Sequence, residues 1–215
     1  MLRYKTVLFD LDGTLIDTND LILTSFMHVL EQHFPGKYQR EHIIPYMGET
    51  LGEQMERFGG VEKRDLLADQ YREHNEQIHD ELVKEFPNIV EALQGLQVLG
   101  VTMGIVTTKQ RKTATMGAKR FGIDQFMKAF VVYQDTDKHK PHPDPIFKAM
   151  EMVEADPATT LMVGDSQYDI EAAHNAGIHA AAVSWSLKGP EFLQTFHPEY
   201  TLYDMRELIG IVKGD

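Results

Sequence analysis

Two aspartates spaced two apart, Asp10 and Asp12, close the apolar run Val7-Leu8-Phe9 and are followed at once by Gly13-Thr14. Residues i and i+2 of an extended chain point the same way, so both carboxylates project together from one strand end. Such a pair repels itself unless a cation lies between its members, and an all-oxygen donor set suits magnesium. A carboxylate is also a nucleophile that can form an aspartyl-phosphate. Three further groups follow in order: Thr107-Thr108-Lys109, then Lys140-Pro141, then Gly164-Asp165-Ser166 with Asp169 one helical turn on. Alone, the threonines read as an ordinary strand end, Lys140 as a solvated loop lysine, and Gly-Asp-Ser as a common turn. Placed together at consecutive strand ends, they read as one site.

Each group has a task in phosphoryl transfer, where catalysis is mostly positioning and charge stabilisation. Asp10 is the expected nucleophile, attacking phosphorus in line. Asp12 is placed to protonate the leaving oxygen and then to take a proton from the attacking water. Asp165 would complete a magnesium site with Asp10 and the backbone carbonyl of Asp12, and Asp169 would support that site or help hold Lys140. The Thr107 hydroxyl and the N–H groups around Thr108 can donate to phosphoryl oxygens. Lys140 would neutralise both the phosphate and the crowded aspartates. Lys109, Lys188 and a residue such as His28 or Arg40 are candidates to meet a second anionic group on the substrate. Glu49, in Gly48-Glu49-Thr50-Leu51, would repel such a group unless bridged by metal or turned away.

The elements that must position these residues are legible as an alternation of short apolar runs and amphipathic patterns, the mark of an α/β fold with a parallel sheet. Strands are expected at Thr6–Asp12, Val101–Thr108, Ala129–Gln134, Thr160–Asp165 and Ala180–Ser184, with a weaker one at Tyr200–Leu202. Helices are expected at about Ile89–Leu99, Arg111–Phe121, Ile146–Glu154, Tyr168–Ala176 and Met205–Val212, and Gly100, Gly122 and Gly177 fall where C-caps belong. The expected architecture is a Rossmann-like doubly wound parallel sheet formed by residues 1–15 and 88–215. Between them, residues 16–87 show only helical periodicity (Ile22, Phe26, Val29, Leu30 and His33, then Leu66, Leu67, Tyr71 and Ile78), broken at Pro35-Gly36 and Gly59-Gly60. That interval is too long for an ordinary connection and reads as a helical cap over the sheet's carboxyl end, where open α/β sheets bind ligands.

Composition bounds the function. The 215-residue chain is 42% hydrophobic and carries a net charge of −12, ordinary for a globular protein and unsuited to electrostatic binding of nucleic acid. The same charge opposes anionic substrates until a metal and local cations reverse the field. The absence of cysteine excludes disulfides and thiolate catalysis and fits a reducing compartment. No run approaches membrane-span length, and the N-terminus leads straight into a strand, so the expected location is the cytoplasm. Ten histidines raise the question of zinc, but His28/His33 and His74/His79 are five apart and share a helix face poorly. The acidic segment Glu73–Glu85 reads as a solvated helix face, and the methionines and Trp185 as core filling.

The ordered set Asp10-Leu11-Asp12-Gly13-Thr14, Thr107, Lys140-Pro141 and Gly164-Asp165-x-x-x-Asp169 resembles the haloacid dehalogenase-like (HAD) phosphohydrolases across the whole core. The resemblance implies a phosphorylated first aspartate, a magnesium requirement and a helical cap that selects substrate. Further strings, among them Asn19-Asp20-Leu21-Ile22, Pro35-Gly36-Lys37-Tyr38, His79-Asp80-Glu81-Leu82-Val83 and Trp185-Ser186-Leu187-Lys188-Gly189, resemble the PpaX-type pyrophosphatases of Gram-positive bacteria. That likeness implies hydrolysis of inorganic pyrophosphate to two phosphates; the chain is expected to be a monomer or dimer. The alternatives are a phosphoglycolate phosphatase or other small-molecule phosphomonoesterase and, behind these, a sugar-phosphate mutase. A silent binding protein would need a broken motif, and none is broken.

Overall fold

A computed structural model describes residues 2–215. Six strands form one parallel sheet: β1 (Thr6–Phe9), β4 (Thr102–Val106), β5 (Met127–Val131), β6 (Thr160–Gly164), β7 (His179–Val183) and β8 (Tyr200–Leu202), in the order β5-β4-β1-β6-β7-β8. The chain runs from the central β1 outward to β4 and β5, then crosses to β6 on the other side, so the sheet is doubly wound. The carboxyl ends of β4, β1 and β6 flank the crevice where this winding reverses.

The strands are nearly continuous apolar runs because both faces are covered. Alternate residues divide between the faces. Val7, Phe9, Ile105 and Val163 pack with Leu93 and Leu96 of α6 (Ile89–Val98), whereas Leu8, Val106 and Met162 pack with Ile146 of α8 (Asp144–Met152) and Ile170 of α9 (Gln167–Asn175). Helix α7 (Arg111–Arg120) adds Ala114 and Ala118 to the first cluster, and α10 (Pro190–Gln194) and α11 (Leu208–Ile211) complete the cover. Among the described residues, no helix is long and apolar enough to cross a membrane.

Two departures from the sequence reading have local causes. The expected strand Ala129–Gln134 lies earlier, at Met127–Val131, because Tyr133–Asp135 form a 3-10 turn in which the Asp135 carboxylate accepts the Val132 N–H at 2.9 Å. Residues 16–87 are not purely helical. Ile16–Asp17 (β2) pairs antiparallel with Lys84–Glu85 (β3), and this two-stranded stem brings the ends of the segment together. Between the stem strands run α1 (Asn19–His33), α2 (Arg40–Ile43), α3 (Leu51–Gly59), α4 (Arg64–Gln77) and α5 (His79–Leu82). They share an apolar cluster of their own around Phe26, Leu30, Ile43, Met55 and Leu67. Leu66 of the expected periodicity is exposed; Leu67 alone of that pair turns inward.

Leu93 is fully buried whereas Val98, on the same helix, is 86% exposed. Leu93→Ala should therefore cost about 2–5 kcal/mol in urea unfolding, and Val98→Ala within about 0.5 kcal/mol. Equal effects would contradict the packing of α6 on the sheet.

Candidate active site

Three adjacent strand ends and one loop supply the site. Asp10 follows β1 directly, its N–H still donating to Val163 O at 2.9 Å, and Thr107 follows β4 with its N–H on Val131 O at 3.0 Å. Asp165 follows β6. Lys140 arrives from the loop between β5 and α8 and is 5% exposed. Its Nζ donates to Asp10 Oδ1 at 2.7 Å, to Asp169 Oδ1 at 2.5 Å and to Val106 O at 3.0 Å. An ammonium has three N–H donors, so all are taken by the protein. Its hydrogen bonds go to two carboxylates and a carbonyl, so it neutralises the crowded aspartates directly and would act on a phosphate through its charge.

Close approach requires glycine at two points. A Cβ on Gly13, whose φ is +75°, would fall 2.4 Å from Asp165 Oδ2, and one on Gly164 would fall 2.2 Å from the Asp169 Cβ. Gly13 thus lets the turn after Asp12 lie against Asp165, and Gly164 lets the first turn of α9 return over β6. There Asp169 Oδ2 accepts from the Ser166 hydroxyl at 2.6 Å and the Ser166 N–H at 3.0 Å, the geometry of a capping box. With Oδ1 on Lys140, both Asp169 oxygens are engaged.

Burial of like charges sets the electrostatics. Burial pushes the Asp10 carboxyl up to about 7; Lys140 pulls it down, and the charges of Asp169 and Asp12 push it further up. Asp165 is raised well above the usual range by burial and then by Asp169 and Asp10. Burial alone would lower the Lys140 ammonium, but Asp10 and Asp169 outweigh it and hold it above its ordinary value. Oxygens of Asp10, Asp165 and Asp169 all lie within 4.8 Å of one another. Hard oxygen donors crowded beyond what one ammonium can neutralise fit a divalent cation such as magnesium. Because Asp169 is bonded at both oxygens, Asp10 and Asp165 are the better-suited side-chain donors.

These residues open into a cavity of about 450 Å³ whose floor is Asp10, Asp12, Thr107, Lys109 and Asp165. Lys109 Nζ donates to Asp12 Oδ1 at 2.7 Å, and the Thr107 hydroxyl oxygen accepts the Lys109 N–H at 3.2 Å. Thr108 lines the wall beside them. The other positions named from sequence lie elsewhere. Lys188 does not line the cavity; Nζ donates to Met47 O at 2.6 Å and to Gln167 Oε1 at 2.5 Å, joining the loop after β7 to the helical segment. Burial pushes its ammonium down to about 8 against the opposing pull of Asp165, Asp169 and Glu49. Arg40 is exposed and bonds Asp20 and Thr24, and His28 stacks on His74 at 3.8 Å between centroids. Neither His28 nor Arg40 lines the cavity. Glu49 lines the cavity; its Oε1 accepts from Arg57 and from the Tyr168 hydroxyl, each at 2.8 Å, while Oε2 is buried without a partner among the described residues.

The sequence reading took Tyr71 only as part of an apolar stripe and missed Arg72 and Asn75 on the wall it belongs to. Ala68, Tyr71, Arg72 and Asn75 of α4 face the cavity. Their spacing of i, i+3, i+4 and i+7 is helical, but polar members hid it from a search for apolar stripes.

The sequence of residues 7–183 matches the family described as haloacid dehalogenase-like hydrolase. The chain is 42% identical over 211 residues to the pyrophosphatase PpaX of Bacillus anthracis, covering 98% of this chain and 97% of that protein. In fold it is similar to a structure titled as a predicted phosphoglycolate phosphatase from Haemophilus somnus 129pt (TM-score 0.87, 23% identity, 98% and 99% of the two chains). It is also similar to a haloacid dehalogenase-like family hydrolase from Streptococcus pneumoniae (TM-score 0.86, 23% identity, 97% and 98%). The chain belongs to the haloacid dehalogenase-like hydrolases, and it is an enzyme of their phosphatase class.

The raised carboxyls predict a signed pH effect. With Asp10 near 7 in the folded protein against about 3.9 unfolded, the native state between those values holds a proton that the unfolded chain has released. Without metal, this group's contribution to stability falls as pH rises through that window. A cation binds the ionised form, so the rise in Tm caused by magnesium should be larger at about pH 8 than at about pH 5.5. A pH-independent rise would contradict the assignment.

Proposed function

We propose that this hydrolase is a magnesium-dependent phosphatase that passes through an aspartyl-phosphate on Asp10, with inorganic pyrophosphate as its preferred substrate. The observation that carries the reading is the Lys140 ammonium fixed on Asp10 Oδ1 and Asp169. It orients one oxygen of a buried carboxylate and leaves the other for attack on phosphorus. Magnesium, held by Asp10, Asp165 and the Asp12 carbonyl, would supply positive charge against the phosphoryl oxygens.

In the first half-reaction an Asp10 oxygen bonds to phosphorus as the bond to the leaving oxygen breaks, releasing phosphate. Thr107 and the N–H groups beside Thr108 are placed to donate to the oxygens of the transferring group. In the second, Asp12 takes a proton from water, whose oxygen attacks the same phosphorus and frees Asp10. Residues 16–87 act as the cap that roofs this chemistry on the core formed by residues 1–15 and 88–215. A cysteine-free chain suits a reducing compartment, and the cytoplasm is the proposed location.

Pyrophosphate is favoured by the likeness to the Bacillus anthracis pyrophosphatase, which extends through the helical segment. One observation favours a second reading, a phosphomonoesterase acting on a small organic phosphate. The cavity is roomy for pyrophosphate, and Ile22, Phe26 and Met47 give part of it an apolar lining.

Phosphate release from pyrophosphate, phosphoglycolate and hexose phosphates, with and without magnesium, separates the readings. Pyrophosphate should give the highest kcat/KM; a phosphomonoester ahead of it would select the second. Asp10→Asn should abolish turnover on every substrate. Asp12→Asn should slow phosphomonoesters by about 10²–10⁴-fold and pyrophosphate less, because phosphate leaves without a proton more readily than an alkoxide. Equal losses would confine Asp12 to water activation.

A further inference from the structure

The roof of the cavity is one face of α4. Tyr71, Arg72 and Asn75 lie on that face, while Leu67 is buried in the cap's apolar cluster. The helix cannot turn the polar stripe away without lifting Leu67 out of that cluster. A helix face turned toward protein is ordinarily apolar; this one is polar and lines the same cavity as Asp12.

Its donors are short of acceptors. Arg72 Nε is buried and has no hydrogen-bond partner among the described residues, while Nη1 is taken by Asp69 at 2.6 Å. The Tyr71 hydroxyl receives Asn75 Nδ2 at 3.4 Å and gives its own proton to no acceptor among the described residues. Asn75, 3% exposed, is anchored by donating to Ser25 Oγ at 3.2 Å, and that hydroxyl donates to Leu21 O at 2.8 Å. Burial, and then the charge on Asp12, raise the Tyr71 phenol, so it remains a donor at neutral pH. Buried donors without acceptors are costly and rare, and they persist where a ligand supplies the missing oxygen.

The other basic groups along the walls are committed. Lys109 is on Asp12 at 2.7 Å, and Arg64 is on Asp65 at 2.8 Å and Glu56 at 3.5 Å. Arg72 differs at Nε, which is buried and unpartnered among the described residues, whereas Arg64 Nε is taken by Asp65 at 2.8 Å. A guanidinium matches two phosphate or carboxylate oxygens at once.

We propose that Tyr71 and Arg72, with Asn75 holding the Tyr71 hydroxyl in place, form a subsite for a second anionic group carried by the leaving group. On the pyrophosphatase reading, on which this identification rests, that group is the distal phosphate. The subsite divides the work between the two parts of the molecule: the sheet ends hold the phosphoryl group that is transferred, and α4 holds the one that departs. It also supplies the recognition that His28, Arg40 and Lys188, from their positions, do not.

Steady-state kinetics at fixed magnesium on pyrophosphate, phosphoglycolate and phenyl phosphate test the proposal in wild type, Arg72→Ala, Arg72→Lys and Tyr71→Phe. Phenyl phosphate has no second anionic group. In Arg72→Ala the kcat/KM for pyrophosphate relative to phenyl phosphate should fall about 10–100-fold, chiefly through KM. Arg72→Lys should recover part of the loss, having charge without the fork. Tyr71→Phe should lower the same ratio about 2–10-fold. An unchanged ratio in folded Arg72→Ala overturns the subsite. A wild type inactive on pyrophosphate, whose preference for phosphoglycolate over phenyl phosphate nevertheless falls in Arg72→Ala, refutes the pyrophosphate reading and upholds the subsite. A wild type that prefers phenyl phosphate to both overturns it. Should Arg72→Ala fail to fold, the other two variants decide, and unchanged ratios in both overturn it.

Discussion

One ammonium group organises the centre of this enzyme. Lys140 donates to a carboxylate at the end of β1, to a carboxylate in the first turn of α9 and to the terminal carbonyl of β4. The sheet order β4-β1-β6 makes those ends neighbours, and Gly13 and Gly164 let the chain close around them. Removing one partner of a buried ion cluster costs several times what a surface pair contributes, because it leaves charge without compensation. Here loss of Lys140 would leave Asp10, Asp165 and Asp169 crowded in a buried space, and the raised Asp10 and Asp165 carboxyls show that compensation is incomplete even with it. That deficit makes the site receptive to a divalent cation.

The same deficit constrains the substrate. The chain carries a net charge of −12, and carboxylates outnumber basic groups along the cavity walls. An anion is held there only against cations placed for the purpose. The sheet ends provide Lys140, Lys109 and the proposed metal, and the helical segment provides arginines. Glu49 shows how a potentially repulsive group is tolerated: Arg57 and Tyr168 bind it, and the loop after β7 is tied to the helical segment close by through Lys188. On the proposed reading, chemistry and selection reside on different elements, joined by the short stem of β2 and β3.

Much of the core was legible because parallel sheets impose strong rules. Strands buried on both faces read as unbroken apolar runs, and the residues just past their carboxyl ends converge; Asp10, Thr107 and Asp165 needed no more than that. The boundary of β5 was misplaced because a side-chain cap on Val132, invisible to periodicity, ends the strand. The stem strands are two residues each, too short to carry a period. In the helical segment, apolar spacing found the cluster around Phe26 and Leu30 but said nothing about the cavity face of α4, where Asn75 is polar yet buried and Arg72 has its Nε enclosed. Lys188 was placed at the correct end of the sheet, but strand position does not reveal which acceptor a long side chain reaches.

The central claim is that Asp10 becomes covalently phosphorylated. It is tested most directly by quenching wild-type enzyme in acid during turnover with pyrophosphate and magnesium, reducing with borohydride, and sequencing the peptides by mass spectrometry. An acyl phosphate is reduced to the alcohol, so the account predicts homoserine at position 10 and unaltered aspartate at positions 12, 165 and 169. Homoserine at another of these aspartates, or unmodified Asp10 under conditions of demonstrated turnover, would contradict it.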